Sequence, residues 1–303
     1  LAQLVPLLER PGVGSDLYNV HARDGNHTHE GTGEFPVSTI TLPQQNITLA
    51  YDDQGQGRPI VWLHAFPLDR RMWEPQVQPL LSAGYRVITV DLPGFGESPV
   101  HSGWTVDSVA DALAEFFQVL EMPPAVVGGE SMGGYVTLAL ARRHPQHLSG
   151  LILADTRAGA DDSAARQRRE ETIAAIREKG PSALLETLVP KLISEATRQN
   201  RPQVLETIRS LTLRQTSQGL IDALMALRDR PDASPYLSSI CVPTLVVVGE
   251  YDVITPPLYA ARLAGLINTA KLEHIPQAGH LSNLENPEAF NAVVLTFLQR
   301  QVA

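Results

Sequence analysis

A single cysteine in 303 residues, Cys241, excludes an intrachain disulfide and any metal site built from several thiolates. A reducing, cytoplasmic setting is the expectation that follows, with export left open. Basic residues are also scarce, with 24 Lys and Arg against 33 Asp and Glu for a net charge of -9. Such a balance gives no broad attraction to phosphate backbones or anionic lipid, so neither nucleic acid nor a membrane surface is an expected partner. No stretch approaches the roughly 18 consecutive apolar residues of a transmembrane helix. The opening segment LAQLVPLLERPG lacks a basic start and a small-residue cleavage site, so it does not read as a secretory signal, although a leader removed ahead of Leu1 is compatible with it. Internal repeats are absent.

What is present is an ordinary globular composition, 43% apolar and 19% charged, in a chain long enough for one large domain carrying an insertion. Self-association into a homo-oligomer stays open. Residues 1–36 are set apart by HARDGNHTHEGTGEF, a polar, Gly-rich stretch without periodicity that reads as an arm or linker. His27 and His29 within it read as solvated loop histidines, because no further ligand completes a metal site.

From 37 to 156, short β-branched runs alternate with helical patterns. STITL and ITLAYDDQG read as a hairpin or two successive strands, PIVWLHAF, YRVITVDLPG, AVVGGE and LSGLILAD as strands, and VDSVADALAEFFQVLE and MGGYVTLALARRHP as helices. This alternation implies an α/β fold with a mostly parallel sheet flanked by helices. Residues 157–238 lose the strand signal and read as three to five charged, Leu-rich helices. Strand patterns return in PTLVVVGEYD and AKLEHIP, so 239–303 completes the core and 157–238 is expected to be a helical cap inserted ahead of the strand bearing Asp252.

The chemistry gathers around VVGGESMGGYV. Gly129, Ser131 and Gly133 form G-x-S-x-G between a predicted strand and a predicted helix, the setting of a nucleophile elbow. A serine hydroxyl must lose its proton as it attacks, so a base oriented by a carboxylate is required. Asp252, just past one strand, and His280, past the next, supply the partners in the chain order Ser, Asp, His. Asp155, at another strand end, is the reserve for the acid, and Asp252 could instead be a helix N-cap ahead of TPP. An oxyanion needs two N–H donors. Met132, at the start of a helix, offers one, and Phe66, in LHAFPLDRRMW, the other.

HAFPLD, DLPGFGES, GGESMGG, GEYDVITP and AGHLSNLENPEAF, in this order, resemble the landmark segments of the α/β-hydrolase superfamily across about residues 38 to 300. Within it the chain is most similar to bacterial carboxylesterases, 3-oxoadipate-type enol-lactonases and cofactor-free haloperoxidase or perhydrolase-like esterases. Phe66-Pro67 resembles the aromatic-Pro pair of the last group. The resemblance implies hydrolysis of a small-molecule ester or lactone through an acyl-enzyme on Ser131, with His280 as base, Asp252 as its orienting acid, and no metal or organic cofactor. Ala65 departs from the family's usual glycine and is expected to narrow the mouth of the site rather than to be strained. His64 is expected to shape the oxyanion loop, Asp91 and Ser98 to serve turn chemistry, and Trp73, Trp104, Met225 and most leucines of 157–238 to pack, with some of the latter lining the pocket. Dehalogenases and epoxide hydrolases are disfavoured, since they use an aspartate where Ser131 stands, and Tyr236 is the lone tyrosine the inserted segment offers where epoxide hydrolases use a pair. Perhydrolysis, carbon–carbon bond hydrolysis and a slow-turnover ligand receptor on the same fold remain as alternatives.

Overall fold

A computed structural model describes residues 20–21 and 37–301, so His27 and His29 lie outside the described residues. The β-branched runs form one sheet from Val20–His21 (β1), Ser38–Leu42 (β2), Ile47–Gln54 (β3), Pro59–Leu63 (β4), Arg86–Asp91 (β5), Ala125–Glu130 (β6), Leu148–Ala154 (β7), Thr244–Gly249 (β8) and Ala270–Ile275 (β9). Their order is β1-β2-β3-β5-β4-β6-β7-β8-β9. Pairings from β1 through β3 to β5 are antiparallel, and every pairing from β5 to β9 is parallel. The stretch expected to be an arm therefore contributes one piece of sheet. Val20 opposes Ile40 and His21 opposes Thr39, which uses the otherwise open edge of β2.

The helices are Glu74–Ser82 (α1), Val106–Val119 (α2), Met132–Arg143 (α3), Ser163–Lys179 (α4), Leu184–Thr187 (α5), Glu195–Asn200 (α6), Pro202–Leu213 (α7), Ser217–Asp229 (α8), Pro257–Leu266 (α9), Ser282–Glu285 (α10) and Pro287–Gln301 (α11). Because successive strand residues point to opposite faces, the central strands feed two cores. Val61, Leu63, Val127, Leu151, Leu153 and Val246 pack with α2, α3 and α9. Ile60, Trp62, Val126, Ile152 and Leu245 pack with Trp73, Leu80 and Phe290 of the opposite layer. Trp62 and Trp73 stack with centroids 4.2 Å apart, and burying an apolar side chain of this size contributes about 1.5–3 kcal/mol. Strands apolar on both faces can persist only between two helical layers, and that leaves the carboxyl ends of the strands as the place for loops. Among the described residues, no helix is long and apolar enough to cross a membrane.

Helices α4 to α8 all lie between β7 and β8. They are docked on the DLPGFGES loop by backbone contact: a Cβ on Gly219 of α8 would stand 2.1 Å from the Gly94 carbonyl oxygen. Polar bonds flank that contact, with Gly96 N–H donating to Gln215 Oε1 (3.0 Å) and Ser102 Oγ donating to Asp222 Oδ2 (3.1 Å). In the same loop Asp91 accepts the N–H groups of Arg70 and Glu97 while Ser98 Oγ donates to the Asp91 carbonyl, so both residues hold the turn. Met225, expected to pack, is instead exposed. It follows Leu224 by one residue, about 100° around α8, and so faces outward.

Candidate active site

Ser131 closes β6 with φ 51° and ψ -106°, a backbone geometry that persists only where its surroundings impose it. Those surroundings are glycine contacts. A Cβ at Gly129 would meet the Gly133 carbonyl oxygen at 2.3 Å, and a Cβ at Gly133 would meet the Leu63 oxygen at 2.1 Å. Strand thus becomes helix at one residue because nothing larger fits two positions before or after it. Ser131 N–H donates to the Ala154 carbonyl (2.9 Å), and the Ser131 carbonyl accepts from Thr156 Oγ1 (2.8 Å). The turn is anchored from both sides.

His280 lies in the loop after β9 and is 1% exposed. Its Nε2 stands 2.9 Å from Ser131 Oγ, and its Nδ1 stands 2.8 Å from Asp252 Oδ2. A carboxylate can only accept, so Nδ1 carries the proton and Nε2 is left to accept from the serine hydroxyl. Asp252 is itself held by three further donors. Ile254 and Thr255 N–H groups reach Oδ1 at 2.8 and 2.9 Å, and Thr255 Oγ1 reaches Oδ2 at 2.6 Å. These backbone contacts form a turn, while the helix that Asp252 could have capped starts later, with Pro256 at its N-cap. Burial pushes the Asp252 carboxyl up, but the His280 charge and the hydrogen bonds from His280 and Thr255 outweigh it and hold it low. For His280, burial works downward and is outweighed by the charge and hydrogen bond of Asp252, which raise the imidazole above its ordinary 6.5.

Asp155, the reserve acid, does not bond His280. It accepts Gly249 N–H (2.8 Å) and the Ser282 hydroxyl, so it braces the end of β8 against the histidine loop. Glu285 performs a related task, accepting Gly279 N–H (2.7 Å) and Ser194 N–H (2.8 Å) and so tying the histidine loop to the helical segment. Glu130, beside Ser131, is fully buried, and among the described residues neither carboxyl oxygen has a hydrogen-bond partner. Burial, then the charges of Asp155, Asp252 and Glu285, push it well above the usual carboxylate range.

Met132 N–H opens α3, and Phe66 lines the same cavity as Ser131 and His280. Among the described residues, neither of these N–H groups donates to an acceptor. The Phe66 loop is fixed by His64, whose Nδ1 donates to the Ala65 carbonyl (3.0 Å) while Nε2 accepts Leu92 N–H (3.0 Å). Burial lowers the His64 pKa to about 4, so the ring stays neutral and both bonds persist. Ala65 is outside the positive-φ region, so its methyl costs no backbone strain. Contrary to expectation it does not narrow the cavity mouth: it is fully buried and packs with Leu68 and Met72 on the other side of the loop.

The cavity measures about 680 Å³, within the range of small-molecule sites. Leu188, Leu192, Leu224 and Leu227 of the helical segment line it, together with Arg157, Asp161 and Arg169. Thr255, Glu130 and the residues around Asp161 were missed in the sequence. Thr255 alone had a local signal, a threonine three residues after an aspartate at a strand end. Among the described residues, no group of three or more His, Cys, Asp or Glu is arranged to hold a metal ion.

Comparison with known proteins agrees with this architecture. A family model described as alpha/beta hydrolase fold matches residues 58–287. The putative non-heme bromoperoxidase BpoC of Mycobacterium tuberculosis is 32% identical over 268 residues, covering 83% of this chain and 97% of that protein. The 3-oxoadipate enol-lactonase 2 of Acinetobacter baylyi is 28% identical, covering 86% of this chain and 96% of its own. Among solved structures, a thermophilic esterase from Thermogutta terrifontis superposes with a TM-score of 0.85 at 38% identity, covering 89% of this chain and all of that one.

Proposed function

The chain belongs to the alpha/beta hydrolase family, and on that premise we propose that it is a serine hydrolase that cleaves a carboxylic ester or lactone through an acyl-enzyme. The observation that carries this reading is the unbroken run of hydrogen bonds from Asp252 through His280 to Ser131. Ser131 Oγ attacks the carbonyl carbon as its proton passes to His280 Nε2. The charge that gathers on the carbonyl oxygen is met by the N–H groups of Met132 and Phe66, each worth about 10²- to 10³-fold in rate. Asp252 stabilises the imidazolium formed in that step. The tetrahedral intermediate collapses, the alkoxide leaves with the proton from His280, and the acyl group stays on Ser131. Water then repeats the sequence, giving its proton to His280 and releasing the acid. Residues 157–238 act as a cap, since their leucines and charged side chains form a wall of the cavity that holds Ser131 and His280.

The test is hydrolysis of short p-nitrophenyl esters by the full chain. Sustained turnover that is lost in Ser131→Ala supports the reading. Turnover that survives this change, or a single slow turnover followed by retention of the product, overturns it, the latter in favour of a ligand receptor.

Perhydrolysis is a second reading, favoured by the similarity to the putative bromoperoxidase BpoC. Hydrogen peroxide would replace water in the second half, releasing a peracid and regenerating the serine. Peracetic acid formed from acetate and peroxide, and lost in Ser131→Ala, is its signature.

A further inference from the structure

The cap side of the cavity carries a charge imbalance that ester cleavage alone does not require. Asp161, just ahead of α4, is 6% exposed. One carboxylate oxygen accepts from Arg157 Nη2 (2.6 Å) and Arg230 Nη1 (2.7 Å), and the other accepts from Arg169 Nε. Three guanidiniums thus share one carboxylate. Arg230 is committed to structure: it donates to the Leu227 and Gly159 carbonyls and lies 4.1 Å over the Tyr135 ring. Arg157, whose guanidinium also lies 5.5 Å over the Tyr259 ring, and Arg169 line the cavity that contains Ser131 and His280, each side chain about one-fifth exposed. The two Nη groups of Arg169 make no hydrogen bond among the described residues.

Position ties this cluster to the reacting centre. Arg157 follows Thr156, whose hydroxyl holds the Ser131 carbonyl, and Tyr135 stands one helical turn beyond Ser131. Farther out, Arg168 and Lys191 also line the cavity and have no ion pair among the described residues. The other acids of the lining have local partners, with Asp162 capping α4 at Ala165 N–H and Glu171 accepting from Gln167. Four cations, Arg157, Arg168, Arg169 and Lys191, thus face three carboxylates, Asp161, Asp162 and Glu171, along the lining, and Asp161 is shared with Arg230 as well. The half-buried guanidiniums of Arg157 and Arg169 gain from an anion, and a planar fork of N–H donors suits a carboxylate.

We propose that Arg157 and Arg169 bind a carboxylate of the substrate, so that the preferred substrates are esters or lactones carrying a free carboxylate. This rests on the serine-hydrolase reading and adds the substrate class to it.

The test follows hydrolysis by pH-stat with three esters: monomethyl glutarate, with its carboxylate on the acyl side; the butyryl ester of glycolic acid, with its carboxylate on the alcohol side; and neutral methyl pentanoate. In the unaltered protein, kcat/KM for one carboxylate ester should exceed that for the neutral ester by about tenfold or more, and the favoured member tells which side of the scissile bond faces the arginines. Raising ionic strength from about 0.01 to about 1 M should shrink this ratio, since screening acts on charge alone. Arg169→Gln and Arg157→Gln should bring the ratio close to one, mainly through KM. A neutral ester hydrolysed as well as both carboxylate esters, or a ratio unmoved by both substitutions and by salt, overturns the carboxylate site while leaving the serine hydrolase standing. Failure of all three esters together with the short p-nitrophenyl esters overturns both.

Discussion

The sheet and the helical segment that covers it build one cavity by different means. On the sheet side, backbone geometry sets the chemistry: Gly129 and Gly133 force the turn at Ser131, and N–H groups at 254 and 255 fix Asp252. On the helical side, side-chain charge from Arg157, Arg169 and Asp161 dominates, carried on elements anchored to the core by a few contacts at Gly219, Gln215 and Ser194. The contrast teaches a division of labour. Changes on the sheet side should act on kcat, and changes on the helical side on KM and on the choice between substrates.

The hardest test of that division is the nucleophile. Ser131→Ala or His280→Ala should lower kcat for a p-nitrophenyl ester by roughly 10⁴-fold or more with little change in melting temperature. Asp252→Asn should cost roughly 10³- to 10⁴-fold by losing the imidazole tautomer that the carboxylate selects. Its pH profile carries a second reading. The free protein must hold His280 neutral, so kcat/KM for the unaltered chain should fall as pH drops through an apparent pKa above 6.5, and that limb should move lower when the Asp252 charge is removed. Thr255→Val should lower kcat about five- to tenfold, the scale of one hydrogen bond. Were that change to alter KM alone, the division would break.

On the helical side, Gly219→Ala places a methyl against the Gly94 carbonyl and should cost about 1–3 kcal/mol of stability, read as a lower melting temperature, with KM rising more than kcat falls. The smallest effect is expected at Glu130. Its folded pKa is raised, so the folded state keeps a proton that the unfolded chain releases above about 4.5, and stability drains as pH rises from there towards the folded pKa. Glu130→Gln removes that drain. The melting temperature of the variant relative to the unaltered protein should therefore rise as pH is raised from about 5, as read by differential scanning calorimetry.

The same division explains how much could be read from the sequence. Short continuous apolar runs such as 59–63 and 148–154 and the glycines about Ser131 are local signals, because a buried strand and a steric turn depend on neighbours in the chain. The choice between Asp252 and Asp155 was not local. Both end strands and both are buried, and what separates them is that Asp252 Oδ2 meets His280 Nδ1 while Asp155 meets Ser282. Val20–His21 could not be told from a linker because an edge pairing needs little sequence beyond a free partner strand. The Asp161 cluster was invisible for a stronger reason. Arg157, Arg169 and Arg230 come from positions as much as 73 apart and meet through the packing of α4 against α8.

The most direct measurement is labelling of the full chain with an organophosphonate ester, followed by intact mass and peptide mapping. One adduct per chain on Ser131, appearing in step with the loss of esterase activity and failing to form in His280→Ala, is the expected result. Esterase activity that persists while Ser131 stays unlabelled, or an adduct that forms equally well without His280, would contradict the assignment.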